Sequence, residues 1–388
     1  MEKIFETDVL TKRERVERAL DHQPVDRVPI HEQLSYNTGV ISLYTGKTFP
    51  DFGFTPEDVG FVIRKTLDSC FPIIEDKGED TYTDEEGFTF RNEHWMTWRT
   101  GRPFSDEHGA AEWLTTKVRG MEKTGLNTHT AVSVESGESR GKHEPQFNAD
   151  TVRREYRNYM RGLQKLVGET VIIDFSFTGF CDLFDAMGLE IFTFFSLDYP
   201  DLLREYMDVS IANEIRRVET VADPELSPVI LIPEDFSTKQ GPLFRDDFLD
   251  RFHYPYVKML TETWHLKGLK VLYHSDGNYK KAVPSLLTCG VDGFYCLEPS
   301  CGMHIVELKR EWPEAAWLGG VDGVDLMENG TPQDVREEVL RHISETDALT
   351  KGGMFIASSS EINPPIPPEN FKAMVEAAGE MTNPGISL

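Results

Sequence analysis

From about residue 150 the chain alternates two hydrophobic rhythms. Short, nearly continuous apolar runs appear at TVIIDF (170–175), PVILIP (228–233), KVLYH (270–274), GFYCLE (293–298), AAWLGG (315–320) and GMFIAS (353–358). Runs of this kind, bounded by turn residues, predict strands buried on both faces. Between them, apolar residues recur every three or four positions. This spacing predicts helices over 201–222 and over 246–267, the second with Phe248, Phe252, Tyr256, Met259 and Leu260 on one stripe. A further helix starts at Thr331-Pro332, with Asp334 three residues past the cap and Val335, Val339 and Ile343 as its inner row.

The first 150 residues are less regular. TKRERVERALDHQ places Val16, Ala19 and Leu20 on one helical face behind a Thr11 cap, and PVDRVPIHEQ carries a strand at Val28–Ile30 that ends in His31 and Glu32. DTYTDEEGFTFRNEHWMTWRTGRP then alternates with period two around a Glu-Gly turn, which predicts a β-hairpin. The charged stretch SGESRGKHEP (136–145) reads as a mobile loop. Repeated strand–helix units imply parallel strands. The expected fold is therefore α/β: a TIM (β/α)8 barrel with an N-terminal helix and a β-hairpin as embellishments. It is expected to form one domain over 1–388, with an irregular insertion at about 75–145.

Barrel enzymes carry their reactive groups at the carboxyl ends of the strands. Here those ends are polar. Ser176 and Thr178 follow VIIDF, Glu234 and Asp235 follow PVILIP, and His274, Ser275 and Asp276 follow KVLY. Glu298 closes the next strand, Asp322 follows LGGV, and Ser358–Glu361 follow the last. One such end is an ordinary solvated loop, but acidic or imidazole groups at successive ends point to a functional mouth.

Charge narrows the choice of partners. With 66 Asp and Glu against 40 Lys and Arg, the formal charge is -26, which repels nucleic acid and anionic membrane. No apolar stretch is long enough to cross a bilayer, so a cytoplasmic protein is expected. The five cysteines are scattered with no C-x-x-C pair, which favours reduced thiols over disulfides or a zinc ribbon.

Several motifs together are familiar. RERVERALDHQPVDRVPI, YHSDGNY, GVDGFYCLEPSCGMHIVELKREW, WLGGVDGVDLMENGTPQDVREEVLRHI and PPIPPENFKAMVEAA resemble the uroporphyrinogen decarboxylase superfamily over about residues 11–378. The resemblance implies a TIM barrel and offers two activities. True decarboxylases carry an arginine-rich segment after the first strand, whereas the matching HEQLSYNTGV here has no arginine or lysine. A polycarboxylate would also meet Glu32, Glu234, Asp235 and Glu298, and like charges repel at any plausible dielectric. The other branch, the corrinoid-linked methyltransferases similar to methylcobamide:coenzyme M methyltransferases, binds zinc through His-x-Cys and a later cysteine. This chain keeps His274 but has Asp276 at the second ligand and Ser360 at the third.

Zinc accepts nitrogen and oxygen ligands, so His274 and Asp276, joined by Glu361 or Glu234, are the expected metal set, and such an oxygen-rich site is a harder Lewis acid. The alternative is that Asp276-Gly277 only forms a turn. The resemblance implies methyl transfer between a small O- or N-methyl donor, such as an aryl methyl ether, and a corrinoid (cobalamin) carried by a partner protein. No carrier motif of the form Asp-x-His-x-x-Gly occurs in this chain. The expected catalytic residues are His274, Asp276, Glu234 and Asp322. The expected substrate contacts are His31, Glu32, Tyr36, Asp235, Glu298 and Ser360. A lyase on the same scaffold, with Glu234 and His274 as acid and base, is the alternative.

Overall fold

The computed structural model describes residues 1–127 and 146–386. The 136–145 stretch expected to be a loop lies outside them. Parallel strands follow one another in chain order: His31–Glu32, Ser69–Cys70, the broken run Val171–Ile172 and Asp174–Phe175, Val229–Pro233, Lys270–His274, Gly293–Tyr295, Ala316–Val321 and Met354–Ser358. Each pairs with the next, in one sheet up to Ile172 and in a second from Asp174 onward. The 171–175 run belongs to both. At the far edges a parallel bridge joins Ile30 to Ile356, and the Ile356 N–H donates to the Pro29 carbonyl at 2.9 Å. The fold is α/β with parallel strands, as expected.

Side-chain alternation along these strands builds two cores. Val229, Leu231, Leu272, Tyr295, Ala316, Leu318, Phe355 and Ala357 point into an inner cluster. Their neighbours Ile230, Ile232, Val271, Tyr273, Phe294, Trp317, Met354 and Ile356 pack outward into a larger one with the helices. This is the period of two expected of strands covered on both faces. The N-terminal helix Lys12–Leu20, capped by a reciprocal Thr11–Glu14 box, contributes Val16, Ala19 and Leu20 to the inner cluster. It therefore packs against the interior of the sheets, near the amino ends of the strands.

Four expectations shift. The strand GFYCLE stops at Tyr295, because Cys296 has a left-handed φ of 64°, which a strand cannot contain. The first ladder begins at His31 rather than Val28, since Pro29 has no N–H to offer. The helix expected over 246–267 is two, Asp246–Phe252 and Tyr254–Leu266. His253 leaves helical geometry, and Pro255 sits in the first turn of the second helix, where its missing donor costs nothing. Met259 consequently faces solvent, 42% exposed, while Phe252, Tyr256 and Leu260 stay buried. The hairpin gains a third strand, forming the antiparallel sheet Glu79–Thr83, Thr89–Glu93 and Met96–Gly101. Trp95 at its second turn stacks on Tyr36 at 5.2 Å and lies 5.1 Å from Phe52, which ties this sheet to the loop after the first strand.

Candidate functional site

His274 is the last residue of its strand, on the same face as Leu272, so alternation turns its ring inward beside Tyr295 at 5.5 Å. The turn that follows is pinned. Gly277 adopts φ 74°, and a Cβ there would lie 2.7 Å from the backbone of Thr238. Its N–H donates to Glu298 Oε1 at 2.5 Å. Asp276 is thereby held back toward the strand end, and its own N–H donates to Asp235 Oδ1 at 2.9 Å.

These constraints gather four side chains from three strand ends. His274 Nε2 lies 3.2 Å from Asp235 Oδ1 and 3.7 Å from Asp276 Oδ1. Cys296, just past the Gly293–Tyr295 strand, brings its Sγ to 3.1 Å from Asp276 Oδ1 and 2.6 Å from the Ser359 carbonyl. Burial opposes a charge on His274, but Asp235, Asp276 and Glu361 outweigh it and hold its pKa up to about 9. Burial and the neighbouring Asp276 push the Cys296 thiol well above its usual range.

Beside this cluster lies a cavity of about 140 Å³ lined by the carboxylates of Asp276, Glu298, Asp322, Glu328 and Glu361, with no lysine or arginine. Ser360 also lines it and donates to Glu361 Oε2 at 2.8 Å. Asp322 is committed to its loop: Oδ1 accepts the N–H groups of Val324 and Asp325, and Oδ2 that of Ser300. Expected as a catalytic residue, it caps this loop at the rim of the cavity.

Four other expected site residues are sealed off. Glu234, expected as a catalytic acid, is 1% exposed, and its carboxylate accepts from the Thr178 hydroxyl and N–H and from the Cys181 N–H, at the start of helix Phe180–Met187. Burial pushes its pKa up to about 8 while those donors pull it down. It acts as a helix cap. Glu32, expected to touch substrate, is fully buried and takes the Ser358 N–H at 2.5 Å and its hydroxyl at 3.0 Å, tying the first strand to the last. His31 is equally buried, hydrogen-bonded through Nδ1 to the Ser69 hydroxyl at 3.0 Å and set edge-on to Phe71 and Tyr295. Burial lowers its pKa to about 3, so it is a neutral packing residue. Tyr36 is 3% exposed; its hydroxyl takes a hydrogen bond from Gln33 at 2.5 Å.

His274, Asp276 and Cys296 offer ligand atoms within 4.8 Å of one another. Tetrahedral zinc with bonds of about 2.0–2.3 Å has ligand–ligand edges of roughly 3.3–3.8 Å, so the 3.1 and 3.7 Å edges to Asp276 need little adjustment. Imidazole, carboxylate and thiolate are all zinc ligands, and three of them leave an open position of the kind catalytic zinc uses. The donor set fits the ion that the resemblance implies. Glu361, expected as a ligand, shares the cavity but falls outside this group. Cys296 was hidden in the sequence because the apolar run GFYCLE reads through it. The left-handed residue that turns it into a strand-end group leaves no mark on hydrophobic periodicity.

A solved structure described as a methyltransferase from Methanosarcina mazei superposes with a TM-score of 0.63 at 17% identity, covering 96% of this chain and 99% of that one. At that identity the likeness is one of fold. A xylose isomerase-like TIM barrel protein from Mycobacterium smegmatis, in complex with magnesium, aligns at 11% identity over 71% of this chain and 89% of that one, with a TM-score of 0.33. Among curated proteins none matches. Residues 157–381, well over half of the chain, match the family model described as uroporphyrinogen decarboxylase (URO-D). The chain belongs to the uroporphyrinogen decarboxylase family.

Proposed function

We propose that this protein is a methyltransferase that moves a methyl group between a small O- or N-methyl donor and a corrinoid carried by a partner protein. The observation that carries this reading is the convergence of His274, Asp235, Asp276 and Cys296 at adjacent strand ends of a URO-D family fold. The reading takes the consecutive parallel strands, with the Ile30–Ile356 bridge, as a single-domain TIM (β/α)8 barrel, the architecture whose strand ends carry chemistry. The fold shared with the Methanosarcina mazei methyltransferase supports the choice of branch. So does the carboxylate-lined cavity, which repels the polycarboxylate a uroporphyrinogen decarboxylase must hold.

Methyl transfer from oxygen or nitrogen needs the heteroatom to depart as a weak base. His274 and Asp276 would hold a zinc ion, which would supply Lewis acidity for that departure. In the metal-free protein Asp235 positions both residues at once, through His274 Nε2 and the Asp276 N–H. In the metal-free protein the same carboxylates keep His274 charged, so it can give the proton from Nε2. The acidic wall admits neutral and cationic donors and turns away anionic ones.

Spectroscopic assay of methylcobalamin formation from reduced cobalamin, with a panel of methyl ethers, methylamines and methanol, tests the reading. Formation with at least one donor, abolished in His274→Ala, is the expected result. A panel with no donor above the His274→Ala level overturns it and favours a lyase.

A further inference from the structure

The resemblance leaves this chain without sulfur at both positions where its relatives place thiolates, Asp276 and Ser360. The structure brings sulfur back from another strand. Cys296 follows Gly293–Tyr295, yet its Sγ reaches across to the Ser359 carbonyl at 2.6 Å, the residue next to Ser360. On its other side it meets Asp276 Oδ1 at 3.1 Å. It is 1% exposed, in the left-handed conformation at φ 64° that a β-carbon disfavours. Strained non-glycine residues persist where the surrounding structure over-determines them, commonly at functional sites.

We propose that Cys296 is the third ligand of a zinc site completed by His274 and Asp276, with the fourth position open to substrate. Its sulfur takes the place the resemblance gives to a cysteine at position 360, supplied from a different strand. Neutral imidazole, carboxylate and thiolate together offset the double charge of the ion. One thiolate makes the centre softer than the oxygen-rich set expected from the sequence, and one carboxylate makes it harder than a two-thiolate centre. Such an intermediate centre suits a methyl donor whose leaving atom is oxygen or nitrogen. Glu361 is then a wall residue of the substrate cavity.

This inference deepens the metal part of the function proposed above and is independent of which molecule donates the methyl group. Cobalt(II) reports the ligands directly, because thiolate bound to it gives a near-ultraviolet charge-transfer band. Chelator-treated wild-type protein titrated with cobalt(II) is expected to develop that band at one ion per chain. Cys296→Ser should lose the band and bind cobalt at least about tenfold more weakly, since even partners of metal ligands typically contribute 10–100-fold. Cys296→Asp should retain binding without the band, and Cys181→Ser and Cys301→Ser should keep it. Circular dichroism of each variant confirms that it is folded.

Zinc X-ray absorption on the unmodified protein gives the same answer without a variant. The expected shell has one sulfur at about 2.3 Å beside nitrogen and oxygen at about 2.0–2.2 Å. A band that survives in Cys296→Ser, a folded wild type that takes up no cobalt, or a zinc shell with no sulfur or with two overturns the proposal. A protein with the one-sulfur shell that never methylates reduced cobalamin keeps this site and loses the methyltransferase reading. Methyl transfer with a sulfur-free shell does the reverse.

Discussion

At the amino ends of the strands, Arg15 and Arg27 are enclosed by Asp8, Asp26 and Asp68, whereas at the carboxyl ends His274 stands among Asp235, Asp276, Glu298 and Glu361. The first group is a closed network. Arg15 reaches Asp26 at 2.6 Å and Asp68 at 2.7 Å, Arg27 reaches Asp8 at 2.7 Å and Asp68 at 2.6 Å, and every member is nearly or fully buried. Lys12, also buried, donates to Thr170 and the Arg64 carbonyl. Each buried charge there has a partner. At the other end carboxylates outnumber cations and line an open cavity. Charge balanced within the fold holds structure, and charge left unbalanced at an opening awaits something from outside.

Removing a partner from the balanced end should have the largest effect. Asp68→Ala leaves two buried guanidinium groups short of a carboxylate and should lower unfolding stability by about 3–5 kcal/mol, read from urea unfolding. A loss under about 1 kcal/mol would mean the network is not what holds that end. His274→Ala at the other end should reduce methyl transfer by about 10²–10⁴-fold while lowering stability less than Asp68→Ala does. A variant that instead melts early would erase the distinction between the two ends.

Acid and base should separate the ends by sign. The pairing with Arg15 and Arg27 depresses Asp68, and Arg15 with backbone donors depresses Asp26, each against an opposing burial effect. Their contribution is present above the ordinary carboxylate range near about pH 4 and is lost as pH falls through their lowered folded values. His274 is raised, so in metal-free protein its contribution is present below about pH 6.5 and is lost as pH rises through about 9. Melting temperature against pH should therefore flatten on the acid side in Asp68→Ala and on the alkaline side in His274→Gln. The smallest effect belongs to Glu361→Gln, expected to shift cobalt affinity by less than about 1 kcal/mol because it removes a wall charge and no ligand. A larger loss would return Glu361 to the metal site.

The parts of this contrast differ in how plainly the sequence shows them. Lys270–His274 matches its apolar run residue for residue, since a buried strand needs only local composition to be seen. Strand Ser69–Cys70 escapes the same reading, being too short to show a period. The split at His253 is visible only in hindsight from Pro255. The Arg15–Asp68 and Arg27–Asp68 pairs join residues 53 and 41 apart, and no periodicity reports such partners. At the site, His274 and Asp276 could be read from strand-end position and resemblance. Glu32 and Glu234 share that position yet are buried, because which strand-end carboxylates become caps is decided by neighbouring loops. Cys296 needed a backbone angle.

The N-terminal helix has a bearing on traffic through the molecule. With Val16, Ala19 and Leu20 seated against the inner cluster, the amino end of the strands is stoppered by packed side chains, and the carboxylate-lined cavity opens at the opposite end. Under the proposed function, a methyl donor and its demethylated product would share one doorway, the same one over which a corrinoid-bearing partner would dock. Under the proposed function, turnover would then be ordered: the donor would enter before the partner settles, and the product would leave only after the partner has lifted away.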